Sequence, residues 1–256
     1  GASAIIGSEY VARAAPDGYT LLLANLPVLA INPIAYAKLP YDPIKDFQPI
    51  SMIADQPYII AISPSIPAKT LPEFIQLAKQ KDGSFTHGSA SSSTHLATEL
   101  FKMLAGIKMT HVPYKGSAPA INDLIGGQIT LLIDPVSTLK PHVDSGKLRA
   151  LAVTDSKRSQ AAPDVPSYAE FGLKDLSMTS WQGLVAPSGT PREIVARLQS
   201  EVMKAVQHPD VQARMRAQGV TPVGNTAEAF TAFVRSEVDR WAKIAQAVSF
   251  ERQSLD

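Results

Sequence analysis

The chain has 256 residues, of which 45% are hydrophobic and 18% are charged, a composition that supports a buried core and excludes a disordered chain. Its 24 basic and 23 acidic residues leave a formal net charge of +1, which gives no general attraction to nucleic acid or to an anionic membrane surface. There is no cysteine, so disulfides, thiolate metal sites and a cysteine nucleophile are excluded.

No apolar segment reaches the ~20 residues that a transmembrane helix needs. The longest, residues 19–31, is interrupted by Asn25 and Pro27. The opening residues also lack the basic and apolar segments of a signal peptide. We therefore expect a protein that is not embedded in a membrane.

Short β-rich runs alternate with helical patterns along most of the chain. The runs predicted as strands are residues 19–24, 58–63, 85–89, 109–114, 129–134, 148–154 and 182–187. Several are apolar on both faces, which is typical of a covered parallel sheet. The alternation of strands and helices predicts an α/β fold with right-handed crossover connections.

Local patterns mark the starts of two helices. Thr70 with Glu73, and Thr190 with Glu193, have the spacing of a capping box, and Pro191 follows the second cap.

Other patterns mark where helices end. The helix from Ser117 is expected to end at Gly126, and a later one at His208 before Pro209. From Pro191 onward three helical patterns follow with hardly any strand, and we expect these helices to cover the sheet.

A cluster of hydroxyl side chains precedes one of the predicted helices. Apolar residues at 96, 97, 100, 101 and 104 recur at helical spacing, so this helix is predicted to start near Ser92 or Ser93. The start follows the carboxyl end of the strand over 85–89, where open α/β sheets bind ligands. The first N–H groups of a helix lack internal partners and carry partial positive charge. We expect them to bind a carboxylate with help from Ser89, Ser91, Ser92, Ser93 and Thr94.

Capping is the alternative explanation for these hydroxyls. One Ser or Thr at a helix start normally serves as a cap that contributes about 1 kcal/mol. One cap accounts for one of the five side chains, so the cluster as a whole favours anion binding.

Two further strand ends have a similar construction. The strand over 109–114 leads through Lys115 and Gly116 into a helix that begins at Ser117. Gly116 allows the backbone to approach a ligand closely, whereas Lys115 either contributes charge or is simply solvated. Asp134 ends the strand over 129–134, and we expect it to cap the next segment; the alternative is that it accepts a hydrogen bond from a ligand. The three strand ends would then converge on one crevice.

Several kinds of chemistry lack their usual signatures. There is no phosphate-binding G-x-x-x-x-G-K-[ST] loop, and the five histidines show neither H-x-H nor H-x-x-x-H spacing, so neither a cofactor nor a metal is expected. Ser93, His95 and Asp134 are the residue types of a hydrolytic triad, but no G-x-S-x-G elbow is present. We expect His95 to pack or hydrogen-bond within its own helix.

Much of the chain resembles the solute receptors of tripartite tricarboxylate transporters, often called Bug proteins. The likeness covers nearly the whole sequence and is most specific in "HVPYKGSAPA" and "GKLRALAVT". Further similar stretches are "VARAAPDGYTLLLAN", "GSASSSTHLATELF" and "SWQGLVAPSGTP".

The resemblance implies a periplasmic receptor with the type II periplasmic-binding-protein (Venus-flytrap) fold, in which two α/β domains close on a small organic acid. Domain 1 would comprise residues 1–60 and 181–256, and domain 2 residues 61–180, with crossings near 57–60 and 178–182. The implied partners are the acid and the membrane permease subunits of the transporter, with no nucleic acid, cofactor or metal. The receptor is expected to be a monomer that catalyses nothing.

Matching positions to the family pattern implies a set of ligand-binding residues. Tyr58 and Trp181 lie near the crossings, where they either border the ligand or belong to the core. The other residues placed at the ligand are Ser89, Ser91, Ser92, Ser93, Thr94, Gly116, Ser117, Ala118 and Asp134.

The sequence departs from the family pattern at two places. Family members normally open with a strand, a Pro-Phe-x-x-Gly-Gly loop, a helix and another strand, and this sequence lacks that opening. Domain 1 is then expected to lack a central strand and the loop that binds one carboxylate of the ligand. Either the sequence is partial or ligand binding is impaired, and we favour a partial sequence. The serine loop is also shorter than the family version and replaces glycines with serines.

Two other functions stay open at this point. A sensory module of the same fold, acting on a signalling partner, would share every residue named above. An α/β hydrolase that uses Ser93 is the more distant alternative.

Overall fold

The computed structural model describes residues 4–173 and 175–252, and the chain forms two compact units. Residues up to Asp55 and from Trp181 onward form unit 1, and Gln56–Ser180 form unit 2. The chain therefore leaves unit 1 after Asp55 and returns to it at Trp181. Each unit contains one β-sheet with helices packed against it.

Strands and helices alternate through much of both units. The strands are β1 (Leu22–Asn25), β2 (Phe47–Asp55), β3 (Tyr58–Ile62), β4 (Thr86–Ser89), β5 (Thr110–Pro113), β6 (Leu131–Pro135), β7 (Arg149–Val153), β8 (Gln182–Pro187) and β9 (Thr221–Pro222). The helices are α1 (Ile5–Ala12), α2 (Asn32–Ala35), α3 (Leu71–Gln80), α4 (Ser92–Ala105), α5 (Ser117–Ile125), α6 (Val136–Asp144), α7 (Arg192–Gln207), α8 (Pro209–Ala217) and α9 (Ala227–Ala247). None of these helices is both long and apolar enough to cross a bilayer.

Unit 1 is built on a sheet with the strand order β1-β8-β2-β9. Every neighbouring pair in it is antiparallel. Helices α7 and α9 pack against β2, which confirms that the C-terminal helices cover a sheet. Within the described part of the chain no strand lies beyond β1, and Leu23 on this edge strand is 56% exposed.

Unit 2 is built on a sheet with the strand order β5-β4-β6-β3-β7. β4 runs parallel to β5 and to β6, whereas β3 runs antiparallel to β6 and β7. All five residues of β3 are buried, so the apolar run at 58–62 correctly predicted a covered strand. The expectation of a parallel sheet is wrong for unit 1, where every neighbouring pair is antiparallel. It is also wrong for β3, because the chain enters unit 2 beside the carboxyl end of β6, where Tyr58 pairs with Pro135.

The helix ends show which of the predicted caps form. Thr70 caps α3 by accepting a hydrogen bond from the Glu73 N–H at 3.4 Å. The cap predicted at Thr190 is wrong: its hydroxyl donates to the Pro187 carbonyl at 2.8 Å, and α7 begins after Pro191.

The predicted stops are found at the expected glycine and proline. α5 ends at Ile125, directly before Gly126. α7 ends at Gln207, and His208 then caps α8.

Two tryptophans in the core of unit 1 share one acceptor. The indole N–H groups of Trp181 and Trp241 donate to Glu237 Oε2 at 3.2 and 3.1 Å, and both rings are fully buried. The edge of Trp181 also meets the ring of Phe230. Phe230 in turn needs Gly183, because a Cβ there would lie 2.2 Å from the phenyl ring. The start of β8 is therefore fixed to α9 by a buried polar contact as well as by packing.

We expect Glu237→Leu to lower the free energy of unfolding by roughly 2–5 kcal/mol, because it leaves two buried N–H donors without an acceptor. Glu237→Gln keeps an acceptor oxygen and should cost less than about 1.5 kcal/mol. Urea unfolding followed by tryptophan fluorescence measures both values. Glu201→Gln, on the exposed face of α7, is the matched control and should change stability by less than about 0.5 kcal/mol. Equal losses for the Leu and Gln variants of Glu237 would show that the shared hydrogen bonds are unimportant.

Candidate functional site

Three strands of unit 2 end along the same edge of the sheet. Because β4, β5 and β6 are parallel, their last residues Ser89, Pro113 and Pro135 all lie at this end of the sheet. Helices α4, α5 and α6 begin within a few residues of these ends, so their amino termini are at the same edge. β3 starts at this edge too, since it runs in the opposite direction.

Two hydroxyls of the serine cluster form the cap of α4. Ser91 Oγ accepts from the Thr94 N–H at 3.3 Å. Thr94 Oγ1 accepts from the N–H groups of Ser91 at 3.0 Å and Ala90 at 2.9 Å. These hydroxyls are thus bonded to the backbone of their own turn, and they fix the path of the loop that precedes α4.

The remaining serines of the cluster are buried at the same turn. Ser93 Oγ lies 3.0 Å from Ser91 Oγ, and Ser89 Oγ lies 2.7 Å from His111 Nε2. Ser89, Ser92 and Ser93 are each exposed by 5% or less. A hydroxyl has one donor and two acceptor positions, so the contacts of Ser89 and Ser93 leave them capacity for a ligand.

The start of α5 differs from that of α4. Gly116 precedes the helix with φ of 116°, in a region that favours glycine, and the described residues provide no side-chain cap. Ser117 and Ala118 supply the N–H groups of the first turn, because Pro119 has none. Ala118 is exposed. These N–H groups are the donors that the sequence predicted at this strand end.

Asp134 faces α5 and does not cap α6. The Ser117 hydroxyl lies 3.1 Å from each Asp134 carboxylate oxygen, to which it donates. The expected capping role is therefore wrong; α6 has Pro135 at its N-cap position and no side-chain cap from the described residues. Burial raises the pKa of Asp134 to about 7, against the opposing effect of hydrogen bonds from Ser117 and Thr138.

The segment that enters unit 2 occupies the start of α6. The Val136 N–H donates to the Pro57 carbonyl at 3.0 Å, and the Ser137 N–H donates to Gln56 Oε1 at 3.1 Å. The N–H groups of Val136 and Ser137, in the first turn of α6, are thus already bonded to protein.

Tyr58 and Trp181 were expected either to border the ligand or to belong to the core. In this structure both are core residues. Tyr58 is 2% exposed, and its N–H donates to Thr154 Oγ1 at 2.9 Å. Trp181 is fully buried in unit 1 beside Glu237.

Sequence reasoning missed a cluster of three histidines beside Ser89. The pairing of β4 with β5 sets His87 opposite His111, with ring centroids 5.1 Å apart. His95, in the first turns of α4, stacks on His111 at 3.6 Å with an interplanar angle of 12°. The signal in the sequence was the Thr-His pair that both predicted strands carry, at 86–87 and 110–111.

The histidine cluster adjoins an ion pair on α4. Glu99 Oε1 lies 3.3 Å from His87 Nε2 and 3.7 Å from His95 Nε2, and both Glu99 oxygens accept from Lys102 Nζ at 2.8 Å. Burial alone would raise the pKa of Glu99, but these neighbours hold it well below its usual range. The intrahelical contact expected for His95 is therefore present.

Burial also affects the charge of His87 and His111. It lowers the pKa of His111 to about 4, with His95 and His87 adding to the effect, and it lowers the pKa of His87. His111 is thus neutral at pH 7. Within residues 4–173 and 175–252, no group of three or more His, Asp or Glu side chains is arranged to hold a metal ion.

The sequence profile described as "Tripartite tricarboxylate transporter family receptor" matches residues 1–250. Protein BugT of Bordetella pertussis is 35% identical over 249 residues, which cover 96% of this chain and 76% of that protein. The structure "R. palustris Rpa4515 with adipate" is similar with a TM-score of 0.94 and 34% identity, over 99% of this chain and 85% of the other. MatC from Rhodopseudomonas palustris with bound malate is similar with a TM-score of 0.87 and 30% identity, over 95% and 85% of the two chains.

These matches extend over both units and agree with the two-sheet α/β architecture. The fold is accordingly that of the periplasmic binding proteins of this type. The chain belongs to the family of tripartite tricarboxylate transporter receptors.

Proposed function

We propose that this chain is a periplasmic receptor that captures a small organic acid and delivers it to the membrane permease subunits of a tripartite tricarboxylate-type transporter. The observation that carries the proposal is the placement of two helix amino termini, those of α4 and α5, at one edge of the unit 2 sheet. Binding, with no change in covalent bonds, is the activity that this arrangement supports.

The electrostatics of the edge suit a carboxylate. A helix amino terminus carries roughly half a positive charge, and its N–H groups point toward an acceptor. The hydroxyls of Ser89 and Ser93 add donors without adding a formal charge. Adipate is bound in the similar Rpa4515 structure and malate in the MatC structure, and both ligands carry two carboxylates.

The candidate residues at the helix starts receive distinct roles in this proposal. Ser91 and Thr94 hold the α4 loop in place, while Ser92 and Ser93 bring the first N–H groups of α4 to the ligand. Gly116 sets the turn that presents the N–H groups of Ser117 and Ala118. Asp134 sets the charge beside them.

A catalytic role receives no support from the same contacts. The Ser93 hydroxyl is hydrogen-bonded to Ser91, and the Asp134 carboxyl group is hydrogen-bonded to Ser117. These hydrogen bonds do not form a serine–histidine–aspartate chain. We therefore propose that the chain is a receptor and not an enzyme.

We expect at least one acid from a panel of mono-, di- and tricarboxylates to raise the melting temperature of the purified chain. An acid present at 100 times its Kd stabilises the folded state by about 2.7 kcal/mol. Differential scanning fluorimetry identifies the acid and calorimetry gives its Kd. The matched diamide is the control and should not bind, because it lacks the charge. Equal binding of acid and diamide, or no binding of any acid, would refute the proposal; turnover of an ester would favour a hydrolase instead.

Delivery to a permease needs a separate experiment. Cells that lack this receptor should lose uptake of the radiolabelled acid, and a restored gene should recover it. Normal uptake with altered gene expression would favour a sensory role.

We expect Ser93→Ala to raise the Kd for that acid about 5- to 100-fold, which corresponds to roughly 1–3 kcal/mol for one hydrogen bond to a charged group. Thr98→Val is the matched control, because the buried Thr98 hydroxyl bonds the Thr94 carbonyl one turn further along α4. The control should lower stability but leave the Kd unchanged. An unchanged Kd for Ser93→Ala would restrict that serine to supporting the turn.

The charge of Asp134 makes carboxylate binding depend on pH. Since Ser117 bonds both Asp134 oxygens, an anion at the first N–H groups of α5 lies close to that carboxyl group. Its pKa of about 7 means that it is mostly protonated below pH 7 and ionised above it. The Kd should therefore be lowest below pH 7 and should rise with pH through 7, by at most about tenfold per pH unit for one linked proton.

Asp134→Asn should remove this pH dependence, because the amide stays neutral and keeps a similar shape. It should also stabilise the fold above pH 7 by up to about 4 kcal/mol, because the wild type must ionise a buried carboxyl there. The gain should shrink as pH falls toward the ordinary aspartate pKa of 3.8. Calorimetry and urea unfolding across pH 5–9 measure both effects, with the exposed Asp144→Asn as control. A variant that keeps the wild-type pH profile would contradict this assignment.

A further inference from the structure

The hydroxyl of Ser89 is bonded to a histidine outside the predicted ligand-binding set. Ser89 ends β4 directly before the α4 loop, and its Oγ lies 2.7 Å from Nε2 of His111 on β5. In the register of the two strands Ser89 pairs with Pro113, so His111 lies on β5 two residues before the partner of Ser89. The contact therefore joins the proposed carboxylate site to the histidine cluster.

The position of the His111 ring is fixed from several sides. His95 stacks on it at 3.6 Å from α4, and His87 lies beside it at 5.1 Å from β4. Glu99 and Lys102 of α4 are the other charged groups that act on it. A ring held in this way can present its Nε2 to Ser89 without reorienting.

We propose that His111 is a positioning residue of the carboxylate site, which controls whether the Ser89 hydroxyl donates its proton to the histidine or to the bound acid. This inference rests on the proposed function. A hydroxyl has a single proton to donate. If Nε2 carries no proton, it accepts from Ser89, which then offers the acid only lone pairs. If Nε2 carries the proton, it donates to Ser89, and the Ser89 proton is free for the carboxylate.

The neutral ring can make this change without gaining charge. The two neutral forms of imidazole differ in whether Nδ1 or Nε2 holds the proton, and the hydrogen bonds of the ring select between them. The pKa of His111, lowered by burial, keeps the ring neutral at pH 7, so the change there is a shift of the proton from Nδ1 to Nε2 through exchange with solvent. A bound carboxylate should favour the form with the proton on Nε2.

Nitrogen NMR of the histidine-labelled full chain tests the link directly. In the free protein, Ser89→Ala should change the Nδ1 and Nε2 shifts of His111 and leave those of His142, in the last turn of α6, unchanged. Saturating adipate or malate should move wild-type His111 toward the form protonated on Nε2 and should have no such effect in Ser89→Ala. Identical His111 shifts in the two free proteins, or no movement with a bound probe, would overturn the inference.

A double-mutant cycle on the Kd for adipate and malate separates positioning from general support of the fold. Ser89→Ala removes the hydroxyl, and His111→Phe removes the Nε2–H donor that orients this hydroxyl toward the acid. Each variant should therefore weaken binding about tenfold, and the double variant should be no weaker than either. His111→Gln, whose side-chain amide can donate near the position of Nε2, should stay within about threefold of the wild type. Losses that multiply in the double variant would contradict the proposal, as would equal losses for the Gln and Phe variants.

The two experiments also separate this inference from the proposed function. If the wild type binds neither probe, dicarboxylate capture fails, and the spectra of the free proteins alone decide whether His111 controls Ser89. If the wild type binds a probe but His111 does not respond, the receptor assignment stands and the inference fails. Should His111→Phe not fold, Ser89→Ala with the spectra still decides the question.

Discussion

The need of peptide N–H groups for an acceptor is the constraint on which the candidate site depends. Three helices begin at one edge of the unit 2 sheet, and their first donors are treated differently. The first N–H groups of α6 bond to the segment that enters the unit. In α4, the N–H group of Thr94 bonds to the Ser91 hydroxyl. The start of α5 has no side-chain cap among the described residues. A donor at a half-buried helix end is stabilised by an acceptor, so in the proposed function an incoming carboxylate binds favourably where α5 begins.

In the proposed function, the groups assigned to bind the anion are neutral donors, and proton positions therefore matter. Asp134 would repel a carboxylate when ionised, but burial keeps it largely protonated up to about pH 7. The Ser117 hydroxyl, which bonds both Asp134 oxygens, transmits that charge state to the first turn of α5. On the α4 side, the role proposed for His111 is to act on Ser89 in a comparable way. A site made of neutral donors can thus change its affinity by moving protons, with no rearrangement of the backbone.

Local features of this fold were predictable from the sequence, and long-range ones were not. The β-branched run at 58–62, the start of α4 and the glycine stop of α5 depend on neighbouring residues, and each was found where the pattern placed it. The sequence analysis missed β2, because Pro49 is unusual within a strand and because the pairing of β2 with β8 is irregular, so the strand lacks a regular alternating pattern. The direction of β3, the bond of Asp134 to a serine 17 positions away and the histidine cluster all depend on which strands pair. A family resemblance supplied the function, since the residues alone left capping and anion binding as alternatives.

The serine-rich loop combines two requirements that a charged loop could not meet together. Its backbone has to turn sharply from β4 into α4, and Ser91 and Thr94 hold that turn by bonding three N–H groups of the loop. In the proposed function the same loop also offers donors to an anion, and lysine or arginine there would have provided them. Such a fixed charge would also attract Asp134, favour its ionised form and bind anions with little regard for shape. Hydroxyls avoid this because each one donates and accepts, so the loop can satisfy its own backbone and still respond to the proton on His111.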